Sequence, residues 1–224
     1  MRVIPMTNFI LFLLFGAGLF SLSLIGHKNY YHTTLYALAI GGIVNANYFH
    51  SANFPIDCFG LPLGIDSLIY TLFAFCVMTM LLQGDKRSAY MLALSSIVAI
   101  AFSACMELFS ALLSQGSSPQ VWRVFGRFAV SILANIVSVI VSVEMVARLK
   151  TKYNPYVCMA CGIAVLSIVN TAIYFPMFAS FMALSGNTWL HLWASLAGKT
   201  LGLLFSLIAF KLLNYLRSKM ADKG

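Results

Sequence analysis

Lys199 is the first candidate for a functional residue, because it lies inside a long apolar segment. The segment extends over residues 189–216, and Lys199 is ten residues from its start. If such a segment crosses a bilayer, an ammonium group at that depth costs about 2.5–3.5 kcal/mol on insertion scales. A charge this expensive is normally retained for a partner or a ligand, so we predict that Lys199 binds substrate.

Polar side chains recur at helical spacing in this segment and in an earlier one. The stripe around Lys199 consists of His191, Ser195, Lys199, Gly202 and Ser206. The earlier stripe consists of Arg127, Ser131, Asn135, Ser138 and Ser142. Neighbouring members are three or four residues apart, so each stripe occupies one face of a helix. In lipid a polar face turns toward the interior of a bundle, and we predict that both stripes line one cavity.

Two shorter sets extend this pattern. One comprises Ser103, Glu107, Ser110 and Ser114, and the other comprises Ser167, Asn170, Thr171 and Tyr174. Serines alone favour close helix packing, whereas full charges inside a membrane indicate function. Glu107 either pairs with Arg127 or Lys199 as a structural lock or takes part in binding. Pairing would still leave one cation over, which suits an anionic or strongly polar solute.

The composition defines the class of protein. The 224 residues are 61% hydrophobic and 9% charged, with a mean hydropathy of +0.89, whereas soluble domains are about 25% charged. We predict an integral membrane protein. The net charge of +8 is therefore interpreted as a topology signal and not as a nucleic-acid-binding surface.

Seven apolar runs approach the roughly 20 residues needed to cross a bilayer. They are residues 9–26, 33–49, 61–83, 89–113, 125–146, 156–184 and 189–216. Their length and uniformity exclude barrel strands, so the predicted fold is an all-α polytopic membrane protein. Residues 33–216 form a core of six transmembrane helices, and residues 1–32 hold a further N-terminal transmembrane helix. This first run has the charge pattern of a secretory signal, but no small-x-small cleavage site follows it.

The basic residues predict the orientation. Nine of the 14 Lys and Arg residues lie in connections that follow odd-numbered runs, including the basic tail 217–224, whereas the opposite side holds Arg2 and Arg123. The positive-inside rule then places the N-terminus outside and the C-terminus in the cytoplasm.

The connections between runs are too short for a soluble catalytic domain. The sequence contains no Gly-rich phosphate loop, no HExxH and no GxSxG motif, and its four His residues lack the spacing of metal ligands. We therefore expect no enzyme activity, no cofactor, no metal and no nucleic-acid partner. The expected partners are a small-molecule substrate and the lipid bilayer.

Several short motifs follow one another from Thr33 onward. They are Asn47-Tyr48, Gly84 to Ala89 (Gly-Asp-Lys-Arg-Ser-Ala), the helix from Arg127 to Leu149, Asn170-Thr171 before Tyr174, Lys199, and the basic tail. In this order they resemble the vitamin-uptake transporters that carry queuosine precursors, a family of six-helix permeases of bacterial inner membranes. The resemblance covers roughly four-fifths of the chain. It implies an inner-membrane permease that imports a small polar heterocycle, such as a queuosine precursor or a queuine-type deazaguanine base.

The chain departs from this family at several intramembrane positions. No acid precedes Gly84 within residues 76–83, Val139 and Ser142 replace a Gln and an Asp, and Asn170 replaces an Asp. We expect a divergent member in which a heterocycle stacks on Tyr174 or Trp193. The candidate substrate-binding residues are Lys199, Asn170, Asn135, Glu107, Arg127, Tyr174, Ser195 and Asn47.

Three other interpretations remain open. The chain resembles in size the substrate-binding membrane subunits of ATP-driven vitamin transporters, which would require an energising partner; a homo-oligomer is equally compatible. A retinal-binding seven-helix protein would also carry a lysine in its last helix, but Ser195 stands where an Asp is usual, and Asp66 is the only acid available in the third run. A non-transporting assembly protein is the third alternative.

Overall fold

The described residues of the computed structural model form six helices. The structure describes residues 10, 14, 31–52, 55–58, 61–115, 119–182 and 188–221. The helices are α1 (Tyr31–Ala52), α2 (Ile65–Gln83), α3 (Lys86–Gln115), α4 (Pro119–Leu149), α5 (Pro155–Met182) and α6 (Thr188–Ala221). Helices α2 to α6 each contain a stretch of 18 to 25 residues that is long and apolar enough to cross a membrane, and α1 contains a shorter apolar stretch, Thr33–Asn45.

The prediction of an all-α polytopic membrane protein is confirmed by this bundle. The additional N-terminal helix predicted at residues 9–26 lies outside the described residues, apart from Ile10 and Leu14, which are helical. The core predicted between residues 33 and 216 corresponds to α1 to α6, although the structure extends most helices beyond the apolar runs.

The connection between α1 and α2 differs from the prediction. The apolar run at 61–83 was expected to be helical throughout, but its first four residues form strand β2 (Leu61–Gly64), which pairs antiparallel with β1 (Pro55–Cys58). Prolines at positions 55 and 62 are tolerated there, because both strands of a two-stranded hairpin are edge strands. Hydropathy alone did not separate this hairpin from the helix that follows it.

Helix α2 is the central helix of the bundle. It packs against each of the other five described helices, and 83% of its membrane-crossing stretch is buried, compared with 22% for α3. A helix that is apolar on all sides is expected to be surrounded by protein. Its large side chains Leu72, Phe73 and Phe75 are fully buried, so the few polar groups of α2 face other helices.

The described members of the two polar stripes face the interior of the bundle, as predicted. On α4, Ser131, Asn135, Ser138 and Ser142 are all buried, whereas Leu133, Ile136 and Ile140 on the opposite side are exposed. On α6, Lys199 and Ser206 are buried and Leu204 and Ile208 are exposed. The exposed apolar faces are suited to lipid, which supports the assignment of both helices to the membrane.

Small residues allow two pairs of helices to approach closely. A Cβ atom at Gly202 of α6 would overlap the Thr71 side chain of α2, and one at Gly162 of α5 would overlap Met78 of α2. Ser142 of α4 also donates a hydrogen bond of 2.6 Å to the carbonyl oxygen of Gly162. Close contacts between small residues replace the hydrophobic driving force that helices lack in lipid.

One end of the bundle is basic. The ends of α2, α4 and α6 meet there: Lys150 Nζ lies 3.5 Å from the Leu81 carbonyl oxygen, and Gln83 Nε2 lies 3.2 Å from Asn214 Oδ1. The basic residues at this end include Lys86, Arg87, Arg148, Lys150, Lys152 and Lys219. The basic residues that the sequence analysis assigned to one side of the membrane therefore lie, where the structure describes them, at one end of the folded bundle.

Candidate functional site

Lys199 is buried at the interface between α6 and α5. Its side chain is 7% exposed, and its Nζ atom donates hydrogen bonds to Thr171 Oγ1 at 2.6 Å and to Asn170 Oδ1 at 3.2 Å. An ammonium group has three N–H donors. Two are used in these bonds, and the hydrogen bonds of the described residues leave one donor for a further acceptor.

Tyr70 of α2 supplies the aromatic ring beside this ammonium. Lys199 Nζ lies 4.8 Å from the centroid of the Tyr70 ring, a distance at which the negative face of the ring attracts a cation. The hydroxyl of Ser138 donates to the Asn135 carbonyl oxygen at 3.1 Å, so its single hydrogen is used there. Tyr70 therefore donates the 3.3 Å hydrogen bond to Ser138 Oγ. This bond connects the lysine cluster to the polar stripe of α4.

Asp66 is the acidic residue that interacts electrostatically with Lys199. It lies in the first turn of α2, one helical turn before Tyr70, and is partly exposed. The next residue, Ser67, donates a hydrogen bond of 3.3 Å to Ser195 Oγ, which brings this end of α2 against α6. Glu107, the acid that the sequence analysis paired with Arg127 or Lys199 or assigned to binding, lies half-buried on α3.

Two buried polar atoms have no hydrogen-bond partner among the described residues. They are Oδ1 of Asn135 and Oγ of Ser167, and their side chains are 2% and 6% exposed. The amide nitrogen of Asn135 is satisfied by the Ser131 carbonyl oxygen at 2.8 Å. Leaving such a group unpaired costs about 1–3 kcal/mol, so buried polar groups of this kind normally bind water or a ligand.

These groups belong to one polar cluster, formed by α2, α4, α5 and α6. Ser167 lies three and four residues before Asn170 and Thr171 on α5, so it shares their face of the helix. Asn135 is joined to Tyr70 through Ser138. We call this set the lysine cluster. Its members are Asp66, Tyr70, Asn135, Ser138, Ser167, Asn170, Thr171 and Lys199.

The other candidate residues are distributed as follows. Ser195 contacts Ser67 at the edge of the cluster, and Tyr174 lies half-buried on α5, one turn beyond Asn170. The side chains of Asn47 and Arg127 lie outside what the structure describes. The structure thus places Lys199 in direct contact with Asn170 and joins Asn135 to Lys199 through Tyr70 and Ser138.

The aromatic ring beside the lysine is that of Tyr70, which the sequence analysis did not consider. Of the two suggested stacking partners, Trp193 is 60% exposed and faces away from the bundle interior, whereas Tyr174 is half-buried on α5. Thr71 was also missed, and Asp66 was considered only for a retinal-binding protein. A signal was available, because Asp66 and Tyr70 are four residues apart and Ser67 and Thr71 repeat that spacing.

The arrangement is suited to binding. The ammonium of Lys199, the amide oxygen of Asn135 and the hydroxyl of Ser167 are all buried in the bundle, and the described residues contain no group of three or more His, Cys, Asp or Glu side chains that could hold a metal. Donors and acceptors fixed on rigid helices are typical of sites that recognise a small polar molecule.

The fold and the buried cluster define a multi-pass membrane protein. Comparisons with protein-family models, with curated proteins and with solved structures find no match for this chain.

Proposed function

We propose that the chain is a permease that imports a small polar heterocycle across the bacterial inner membrane. The observation that carries this proposal is Lys199, a buried ammonium that has hydrogen-bond partners on α5 and one donor left over. It is joined through Tyr70 and Ser138 to Asn135, whose side-chain oxygen has no partner among the described residues. A charge at this depth is costly, and binding a solute is the simplest reason to retain it.

A queuosine precursor or a queuine-type deazaguanine base is the proposed solute. Such a base carries a ring carbonyl, a ring N–H and an exocyclic amino group on one edge. In the proposed complex the remaining N–H of Lys199 donates to the carbonyl, and Asn135 Oδ1 accepts from the ring N–H or the amino group. The hydroxyl of Ser167 is able to donate or accept, and Asp66 balances the charge of Lys199 when the site is empty.

The basic end of the bundle lies in the cytoplasm in this proposal. The positive-inside rule favours that orientation and places the N-terminus outside. Lys199 is 22 residues before the end of α6 at Ala221, or about 33 Å along a helix. The lysine cluster then lies in the outer half of the bundle, where a solute would enter first.

The test is uptake of labelled queuine and its biosynthetic precursors by cells that cannot make them. Cells that express the wild-type chain are expected to accumulate label, and cells that express Lys199→Ala are expected to lose that accumulation. Lys211→Ala is the matched control, because Lys211 lies on the same helix but is exposed; it should transport normally.

The result distinguishes the proposal from its main alternative. No uptake by a stable, membrane-inserted wild-type chain would overturn the permease assignment for these bases. Binding of the base to the purified chain without uptake would instead indicate a substrate-binding subunit that needs a separate energising partner.

A further inference from the structure

A groove of about 700 Å³ lies between α3 and α4 on the outer surface of the bundle. Its apolar wall is formed by residues that include Met91, Leu94, Ile97, Ile136 and Ile140. At its basic end the groove is bordered by Lys86, Arg87 and Tyr90. Most of the wall is exposed: Met91, Leu94 and Ile140 are 49%, 54% and 48% exposed.

The length of this groove corresponds to one leaflet of a bilayer. Ten residues of α3 separate Arg87 from Ile97, which is about 15 Å along a helix. The hydrocarbon core of a bilayer is about 30 Å thick, so a groove that starts at the basic end reaches approximately to the midplane. An acyl chain whose headgroup lies at that end would follow it.

The charges at the groove entrance favour a negative headgroup. Lys86 Nζ forms an ion pair with Glu144 at 2.6 Å, and the Tyr90 hydroxyl donates to the same Glu144 oxygen at 2.8 Å. Arg148 also interacts with Glu144, and Asp85 interacts with Arg87. Three cations therefore face two carboxylates, which leaves the entrance with a net positive charge.

We propose that this groove is a binding site for an anionic phospholipid from the leaflet at the basic end. The phosphate lies near the guanidinium of Arg87, and an acyl chain packs along Leu94 and Ile97. Basic pockets between transmembrane helices bind anionic headgroups by the same combination of charge and apolar area. A second copy of the chain fits less well, because a two-fold dimer through this groove would bring the same basic residues of both copies together. This site is independent of the lysine cluster and of the proposed transport.

The test is native mass spectrometry of the purified full chain with equal amounts of phosphatidylglycerol and phosphatidylcholine of identical acyl chains. The wild-type protein is expected to retain more phosphatidylglycerol. Arg87→Gln should lower the ratio of the two lipid adducts about fivefold, which corresponds to ~1 kcal/mol per basic residue near an anionic lipid. Leu94→Trp should reduce retention of both lipids, because it fills the groove and leaves the charge unchanged.

Lys152→Gln is the matched control. Lys152 is exposed at the same end of the bundle but does not border the groove, so its removal should leave the adduct ratio unchanged. An equal effect of Arg87→Gln and Lys152→Gln would overturn the proposal in favour of general surface charge. Equal retention of both lipids by the wild-type chain would also overturn it, as would a dimer that Leu94→Trp converts to monomers, since that result would assign the groove to a second copy.

Discussion

The Nζ atom of Lys199 lies 2.6 Å from the hydroxyl oxygen of Thr171, a hydrogen bond that joins α6 to α5 inside the bundle. The bond and its 3.2 Å neighbour to Asn170 replace part of the hydration that the ammonium loses on burial. A buried charge is weak evidence for stability, because an apolar side chain of similar volume often serves as well or better. Stability alone therefore does not explain why a lysine stands at this position.

Lys199→Met tests whether the lysine is needed for stability or for function. Methionine has a similar length and no charge, so the cost of burying an ammonium disappears, while Asn170 and Thr171 each lose a donor. The first effect raises the free energy of unfolding and the second lowers it, each by about 1–3 kcal/mol. We therefore expect the thermal midpoint in detergent to change little. Uptake should fall at least tenfold.

The matched control for this variant is Lys211→Met, at an exposed position of the same helix. It should leave both the thermal midpoint and the uptake unchanged. Loss of folded protein specifically in Lys199→Met would show that the lysine is a structural lock and not part of a binding site.

Ser167→Ala should stabilise the protein and weaken its binding. The hydroxyl is buried without a partner among the described residues, and removing an unpaired polar group recovers up to about 1–3 kcal/mol. If the hydroxyl contacts the solute, the same change raises the KM of uptake several-fold. Ser96→Ala is a control, since Ser96 is also buried but donates to the Leu92 carbonyl oxygen at 2.9 Å. If Ser167→Ala changes neither the stability nor the KM of uptake, Ser167 is excluded from the site.

Two substitutions at Tyr70 separate its hydroxyl from its ring. Tyr70→Phe removes the 3.3 Å bond to Ser138 at a cost of about 0.5–1.5 kcal/mol and keeps a ring over Lys199, so uptake should be largely preserved. Tyr70→Leu also removes the ring 4.8 Å from the ammonium and should reduce uptake strongly. Thermal unfolding and uptake of both variants are the measurements. Equal transport by the Phe and Leu variants would show that the ring has no role in the site.

Gly202→Ala should destabilise the contact between α6 and α2. The added Cβ would overlap Thr71, whose hydroxyl is held by bonds to the carbonyl oxygens of Ser67 at 2.9 Å and Leu68 at 2.8 Å. Overpacking of this kind costs about 1–3 kcal/mol. Gly41→Ala meets nothing within 4 Å and should stabilise α1 by up to about 1 kcal/mol. Similar thermal midpoints for the two variants would contradict the close approach at Gly202.

The inward stripes could be predicted from sequence because lipid allows few alternatives. Asn135 and Ser138 repeat at helical spacing within an otherwise apolar run, and a polar face in a membrane has to turn toward protein. The candidate role of Lys199 followed from the cost of its charge in the same way. Both predictions required only the helix periodicity of one segment and the fact that lipid surrounds it, and neither required the arrangement of the other helices.

The partners of Lys199 could not be predicted, because they depend on how the helices are arranged. The spacing of Asp66 and Tyr70 puts them on one face of α2, but it does not indicate which neighbouring helix that face contacts. Asp66, which lies in the first turn of α2, was considered as a counter-ion only for a retinal-binding protein. The hairpin that contains Pro62 could not be recognised from hydropathy either, because its second strand is apolar and continues into α2 without an intervening polar segment.

Asp85 gives the basic end of the bundle a defined dependence on pH. Its Oδ1 atom accepts a 2.6 Å hydrogen bond from the backbone N–H of Ser88, which caps the start of α3. This bond, together with the nearby charge of Arg87, holds the pKa of Asp85 below its usual range. A lowered pKa in the folded state stabilises the protein above the unfolded value near 4, and this contribution is lost as the pH falls through the folded value.

Asp85→Asn tests this dependence, because asparagine also caps a helix but does not titrate. At neutral pH the wild-type chain should have the higher thermal midpoint, since a carboxylate interacts favourably with a helix N-terminus. The difference should narrow below about pH 4, where the carboxyl of the wild-type chain becomes protonated. Asp85→Ala lacks the cap and should unfold at a lower temperature than the Asn variant at every pH. A constant difference between wild type and Asp85→Asn from neutral to acid pH would rule out the carboxylate as the source of the effect.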